Sequence, residues 1–259
     1  MTELVGIFDS HSHYDEPAFD ADRFGLLDDM LAEGSPVCGL IHAATGVSSM
    51  EFGLSLAERY PNAYASVGFH PEFTDSLPDD PAAVLEDMLS RSDKIVAVGE
   101  VGLDYHFEGY DRDKQISLLR CEIELAQKYS LPLIFHCREA TEDFMRLMRE
   151  YKPEGVVHCF SGSAETAREL VGLGLYLGFG GVLTFENSKR VKKAFADVPA
   201  DRFLLETDCP YLAPVPFRGQ RCDSYMIKYT AACGAEIKGM TAQQITDAAR
   251  ENTQRLFRL

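Results

Sequence analysis

Val5-Gly6-Ile7-Phe8-Asp9-Ser10-His11-Ser12-His13 is the stretch that decides the fold. The run Val5–Phe8 reads as a buried strand. The residues just after it separate two architectures. A doubly wound open sheet usually carries a glycine-rich phosphate loop after its first strand. Here the strand runs straight into His-x-His with no glycine. Seven further apolar runs follow: Cys38–His42, Ala63–Val67, Ile95–Val98, Leu133–Phe135, Val156–Val157, Tyr176–Phe179 and Phe203–Leu205. They recur every 20 to 38 residues or so, about the length of a βα unit. The stretches between them read as helices. Ile116, Leu119, Ile123 and Ala126 share one helical face, and Thr241 and Gln244 stand in capping-box positions. Eight strands alternating with helices predict an α/β fold, a single (β/α)8 TIM barrel.

Composition agrees with one globular unit. The chain has 259 residues, 46% hydrophobic and 25% charged, with a formal charge of −16. That excludes a disordered, collagen-like or membrane-spanning chain. No linker or repeat interrupts it, so residues 1–259 are expected to form one domain. The acidic balance argues against a binder of nucleic acid or membrane surfaces that works by bulk charge. It leaves room for an enzyme whose phosphate contacts are local. The N-terminus shows no basic region followed by an apolar stretch, so no signal peptide is expected. Seven cysteines without CxxC spacing suggest reduced thiols and a cytoplasmic setting.

All seven histidines fall at or just past a strand's C-terminal end: His11 and His13, then His42, His70, His106, His136 and His158. In a barrel these ends open on one face, where active sites are built. Residues two apart on a strand share a face, so His11 and His13 can reach one ion. Glu100, between glycines at a sharp backbone turn, joins them, as do His136, His158 and Asp208. Four imidazoles and two carboxylates suit one or two divalent ions, and zinc or manganese better than magnesium. Six ligands exceed the three of a catalytic zinc and fit a pair of ions. The expected partition puts His11, His13 and Asp208 on one and His136 and His158 on the other, with Glu100 bridging. Asp208 and Glu100 are then the catalytic pair. Asp208 orients the attacking water or takes its proton.

Cys137, Cys159 and Cys209 each follow a candidate ligand by one residue. Strand alternation turns them toward the helix layer, as core residues rather than ligands. Cys38, Cys121 and Cys233 also read as core, and Cys222 as exposed in a polar loop.

These motifs resemble the TatD family of metal-dependent hydrolases. The resemblance rests on DSHSHYD (Asp9–Asp15), VGFHPE (Val67–Glu72), VGEVGLDY (Val98–Tyr105) and PLIFHCREA (Pro132–Ala140). It continues through VVHCFSGS (Val156–Ser163), LGFGGVLTF (Leu177–Phe185) and LLETDCPYLAPVPFRG (Leu204–Gly219). It implies a barrel with one or two divalent ions (Mg, Mn or Zn) and phosphodiester hydrolysis. It further implies deoxyribonuclease activity, 3′→5′ on single-stranded ends. Position by position, the family's metal ligands match His11, His13, Glu100, His136, His158 and Asp208. His70 matches an active-site histidine, and Arg138 and Arg218 stand where substrate phosphate would be met.

One stretch departs from the family. Where Gly-Lys-Arg-Asn-Glu-Pro is usual, this chain reads Gly219-Gln220-Arg221-Cys222-Asp223-Ser224. Beside the eighth strand, this loop is expected to shape the substrate site. It keeps alive an ester or amide hydrolase, such as an aminoacyl-tRNA deacylase or a cyclic amidohydrolase. A non-catalytic metal-dependent module is the more distant alternative. The expected partner is a nucleic-acid substrate, with no membrane, no obligate protein partner and a monomeric state.

Overall fold

A computed structural model describes residues 4–259. Its eight strands are β1 (Ile7–Ser12), β2 (Val37–His42), β3 (Ala63–Val67), β4 (Ile95–Asp104), β5 (Leu133–Arg138), β6 (Gly155–Val157), β7 (Tyr176–Phe179) and β8 (Phe203–Leu205). They form one parallel sheet in sequence order. Helices alternate with them: α1 (Arg23–Met30), α2 (Val47–Arg59), α3 (Pro81–Leu89), α4 (Arg112–Tyr129), α5 (Thr141–Tyr151), α6 (Ala164–Gly172), α7 (Lys189–Asp197) and α8 (Ile227–Lys238). A ninth, α9 (Ala242–Phe257), follows, opened by the reciprocal Thr241–Gln244 capping box. This is the (β/α)8 barrel. Among the described residues no helix is long and apolar enough to cross a membrane.

The lumen is a packed core. Phe8, Ile41, Val96, Ile134, Val156, Tyr176 and Leu204 form one cluster, and only a closed ring can bring residues of so many strands together. Leu256 and Phe257 of α9 join it. Most of these strand residues lie near their strands' starts, so α9 plugs that end. The opposite end is left to polar side chains.

Three strands run further than their apolar runs suggest. β1 continues through His11, β5 through His136 and Arg138, and β4 through Glu100 to Asp104. Polar residues there still pair, because the ladder needs only their backbone groups. Glu100 therefore sits within a strand and not at a turn. The register jumps from Gly99↔Ile134 to Val101↔Phe135, so Glu100 is the extra residue of a bulge. A bulge re-aims a side chain without ending the strand. Gly102 permits the continuation: its φ is +152°, and a Cβ there would lie 1.9 Å from the His136 carbonyl oxygen.

Three-residue β8 makes no ladder with β1. The seam closes above it, through a bridge between Ser12 and Cys209. The Asp208 N–H donates to His11 O (3.0 Å) and the His13 N–H to Cys209 O (2.9 Å). Beneath them the buried Asp9 carboxylate accepts from the backbone N–H groups of His11 and Thr207 and from the hydroxyls of Thr207 and Ser224, the last two at 2.6 Å. Burial outweighs these bonds and pushes Asp9 up to about 6.

Candidate metal centre

The barrel's open end gathers the six expected ligands around Glu100, which is 3% exposed. One carboxylate oxygen, Oε1, lies 2.7 Å from His158 Nε2 and 2.9 Å from His136 Nδ1. The other, Oε2, lies 3.1 Å from His11 Nε2 and 3.5 Å from His13 Nε2. Asp208 Oδ1 is 3.3 Å from His13 Nε2 and 3.7 Å from His11 Nε2. His158 also stacks on His11, ring centres 3.9 Å apart, so the two halves of the cluster touch. His70, expected as a phosphate contact, comes to the same carboxylate: its Nε2 is 3.4 Å from Oε1.

The two carboxylates of the cluster are balanced by its histidines alone. Among the described residues no lysine or arginine pairs with Glu100 or Asp208. Five imidazoles crowd one carboxylate, and the Nε2 atoms of His11 and His13 face each other at 3.0 Å. The buried Nδ1 atoms of His11 and His158 have no hydrogen-bond partner among the described residues. Burial, with the neighbouring His158 charge, drives His11 down to about 3 and keeps it neutral. Burial works against charge on His13 and His136 too, but carboxylates outweigh it. Asp208 and Glu100 push His13 up to about 9, and Asp104 and Glu100 do the same for His136. Burial also opposes charge on Glu100, yet the surrounding histidines hold it well below the usual carboxylate range. Asp208 is likewise held low by His13, His158 and His11. Three ligand groups whose atoms lie within 4.8 Å can be drawn from this set: His11/His13/Glu100, His11/His158/Asp208 and His70/Glu100/His136. Imidazoles converging on ionised carboxylates, with no other cation to balance them, fit divalent metal, which would take the place of the protons that those carboxylates now hold on His13 and His136.

Two orienting carboxylates were not legible from spacing alone. Asp104, buried at the end of β4, lies 2.8 Å from His136 Nε2 through Oδ2, while Oδ1 accepts from the His106 N–H at 2.9 Å. A carboxylate on the outer nitrogen fixes the proton there and turns the Nδ1 lone pair inward. Asp9 is the second, tying β1 to the segment carrying Asp208. Their only signal was membership of the motifs Asp9–Asp15 and Val98–Tyr105.

His70 differs from the other imidazoles. Its Nδ1 accepts from the Glu72 N–H (3.3 Å), so a neutral ring carries its proton on Nε2 and presents a donor to the cleft. That cleft, ≈ 400 Å³, is lined by His13, His70, His136, His158, Asp208 and also Arg138. Arg138 has no acidic partner among the described residues, because Glu139 is held by His106 at 2.8 Å. Its guanidinium instead stacks over Phe107, 5.4 Å from the ring centre. Phe73, Phe107 and Tyr211 complete the rim, 48%, 49% and 51% exposed.

Arg218 is not brought to this cleft; it stacks 4.1 Å over Phe185. Nor does the divergent loop line it. Arg221 makes a two-point pair with Asp22 (2.6 and 2.7 Å), and Ser224 is buried against Asp9 and Tyr14. Cys222, expected exposed, is buried, because its N–H donates to Pro210 O and draws the loop inward. The departure therefore alters the barrel wall rather than the cleft. His42 is a core histidine bonded to Ser49 and driven down to about 4 by burial. The thiols of Cys137, Cys159 and Cys209 are all pushed up by burial, Cys137 to about 12, and join none of the three ligand groups. Cys38, expected in the core, is the exposed position of β2.

Comparison with known proteins adds a family. The family described as TatD related DNase matches residues 8–258. The chain is 39% identical to the uncharacterized metal-dependent hydrolase YabD of Bacillus subtilis, over 98% of this chain and 99% of that one. It is 34% identical to YcfH of Escherichia coli, also named a metal-dependent hydrolase, over 98% and 96%. The crystal structure of the TatD homologue YjjV from Escherichia coli superposes with a TM-score of 0.91, at 32% identity over 98% of each chain.

Proposed function

The chain belongs to the TatD family of metal-dependent hydrolases, and from that premise we propose that it hydrolyses phosphodiester bonds at the ends of single-stranded DNA, shortening the strand from its 3′ end. The observation that carries this reading is the rim. Three aromatic rings, each about half exposed, and an arginine without an acidic partner among the described residues surround the cleft. Exposed rings are platforms on which unpaired bases stack, and every base has a face to offer. A duplex exposes only the outer face of its terminal pair, whereas each successive base of a single strand can stack, which favours single strands. The 3′ polarity rests on the family resemblance.

Divalent metal held by His11, His13, Glu100, His136, His158 and Asp208 would supply a Lewis acid and a water acidified to near neutrality. The chain's own groups do the rest. Asp208, held ionised by its histidine neighbours, accepts the proton of the attacking water. The His70 Nε2–H donates to a non-bridging phosphate oxygen, and Arg138 neutralises charge that grows there. Glu100 spaces the two halves of the cluster. Phe107 holds the Arg138 guanidinium flat above the cleft. Local cations thus receive a phosphate despite the −16 background.

The test loads metal-stripped protein with Mg²⁺, Mn²⁺ or Zn²⁺ and adds single-stranded DNA labelled at either end, with Asp208→Ala as control. A 5′ label that persists on a shortening ladder, while a 3′ label leaves at once as mononucleotide, is expected. No cleavage with any ion by protein that has bound metal would refute the phosphodiesterase reading.

A further inference from the structure

A second hollow, ≈ 380 Å³, lies beside the metal cleft, between the ends of β5 and β6 and helices α5 and α6. Its inner wall is apolar and buried: Phe144 and Met145 of α5, Phe160 after β6 and Leu170 of α6. Gly162 lies against the Phe160 ring so closely that a Cβ there would stand 2.6 Å from it, so the bare backbone keeps that ring in place. The outer edge is polar, with the hydroxyls of Ser161 and Thr166 and the guanidinium groups of Arg138 and Arg190.

Two features tie this hollow to the reaction. Arg138 and His158 line both it and the metal cleft, so the two form one trough with Arg138 at the divide. Arg190, like Arg138, has no acidic partner among the described residues, in a chain with 41 acidic side chains. Cations left without partners above an apolar wall match a ligand that is flat and apolar at one end and anionic at the other. Its volume falls in the range of small-ligand pockets, roughly 300–1,000 Å³.

Resting on the phosphodiesterase reading, we infer that this hollow is the subsite for the nucleotide adjoining the scissile phosphate. The base enters against Phe160, Met145 and Leu170, and that nucleotide's own phosphate lies between Arg138 and Arg190. Substrate is thereby gripped on both sides of the reacting bond, by the aromatic rim on one side and this subsite on the other.

The chain has no tryptophan, so Ser161→Trp at the exposed edge gives a single fluorescent reporter. In the metal-loaded protein, deoxyadenosine 5′-monophosphate should quench it saturably, and inorganic phosphate should not. Adding Arg190→Ala should weaken that titration by about tenfold, the loss of one charge-assisted contact. Without the reporter, Arg190→Ala should raise KM for single-stranded DNA by about tenfold with kcat within about twofold. Arg190 is exposed and makes no ion pair among the described residues, so the variant folds. An Arg190→Ala protein with unchanged KM, or a reporter blind to the nucleotide, overturns the subsite. Wild-type protein that cleaves no phosphodiester, a small diester included, instead overturns the chemistry, and the quenching titration then decides the subsite alone.

Discussion

Replacing Asp104 by asparagine should damage the metal centre without touching a ligand. The carboxylate accepts two hydrogen bonds, from the His106 N–H on Oδ1 (2.9 Å) and from His136 Nε2 on Oδ2 (2.8 Å). An asparagine has one acceptor for these two donors. If its oxygen keeps the His106 N–H, its NH2 faces His136 Nε2 and donates to it. The imidazole proton then moves to Nδ1, the nitrogen 2.9 Å from Glu100, and the lone pair that a metal would use is gone. If the amide turns over, its NH2 confronts the His106 N–H, and a part-buried donor loses its partner. Either choice costs about 1–3 kcal/mol, and outer partners of metal-bound histidines are typically worth 10–100-fold in metal affinity or activity. The expected result is therefore a 10–100-fold weaker metal, measured by competition with a chelating dye, and a parallel loss in kcat/KM that added metal partly restores. Asp104→Ala sharpens the test. It opens the position to water, which can donate or accept, so the alanine variant should lose less than the asparagine. Burial favours the neutral form of Asp104, but its bond to His136 keeps it below the ordinary range, so charge is present to be lost in both variants. An asparagine variant within about threefold of wild type, or an alanine variant worse than the asparagine, would show that the tautomer argument is wrong.

Glu122 on α4 offers a stability test away from the cleft. Its buried carboxyl accepts from the Phe69 N–H (2.9 Å), its second oxygen has no partner among the described residues, and burial raises it well above its ordinary value of 4.5. The folded state thus holds a proton that the unfolded chain releases above about pH 4.5, and stability present below that pH is lost as pH rises. Glu122→Gln keeps the bond to Phe69 and removes the titration. It should match wild type near pH 4 and melt higher at pH 8, and a difference in Tm that does not change with pH would contradict this. Removing metal should lower Tm, because the seam between β1 and β8 is closed by the backbone of His11, His13 and Asp208. Metal at 100 times its Kd adds about 2.7 kcal/mol, or roughly 5–10 °C for a chain this size. A chelated protein melting with the loaded one would mean that the folded cluster gains no stability from metal.

Much of this was readable from residues because strands buried in a barrel are apolar runs of the right spacing. The runs at Ala63–Val67, Tyr176–Phe179 and Phe203–Leu205 coincide with β3, β7 and β8 to the residue. Strand ends were not readable where function intrudes. β1, β4 and β5 carry polar side chains into the cleft while their backbones go on pairing, and an apolar pattern cannot register that. Glu100 is the plainest case. Its flanking glycines suggested a turn, whereas a single bulge delivers the side chain and the strand continues for four more residues, to Asp104.

The carboxylates show where local reading stops. Asp9, Glu100, Asp104 and Asp208 all lie in recognisable motifs, yet only two of them face the cluster as candidate ligands. Asp9 and Asp104 spend their oxygens on backbone N–H groups, hydroxyls and an imidazole, and which partners those are depends on strands distant in sequence. The same logic reverses the weight given to the divergent loop. Gln220–Ser224 looked like a change of substrate because it follows the last metal motif. Arg221 and Ser224 instead answer to Asp22 and Asp9, which hold the wall beneath the cluster. A residue's distance along the chain from a ligand says little about whether it sees the substrate. The partner that claims its polar atoms decides that, and in this barrel Arg138, at the cleft, and Arg190, in the hollow beside it, have no acid claiming them among the described residues.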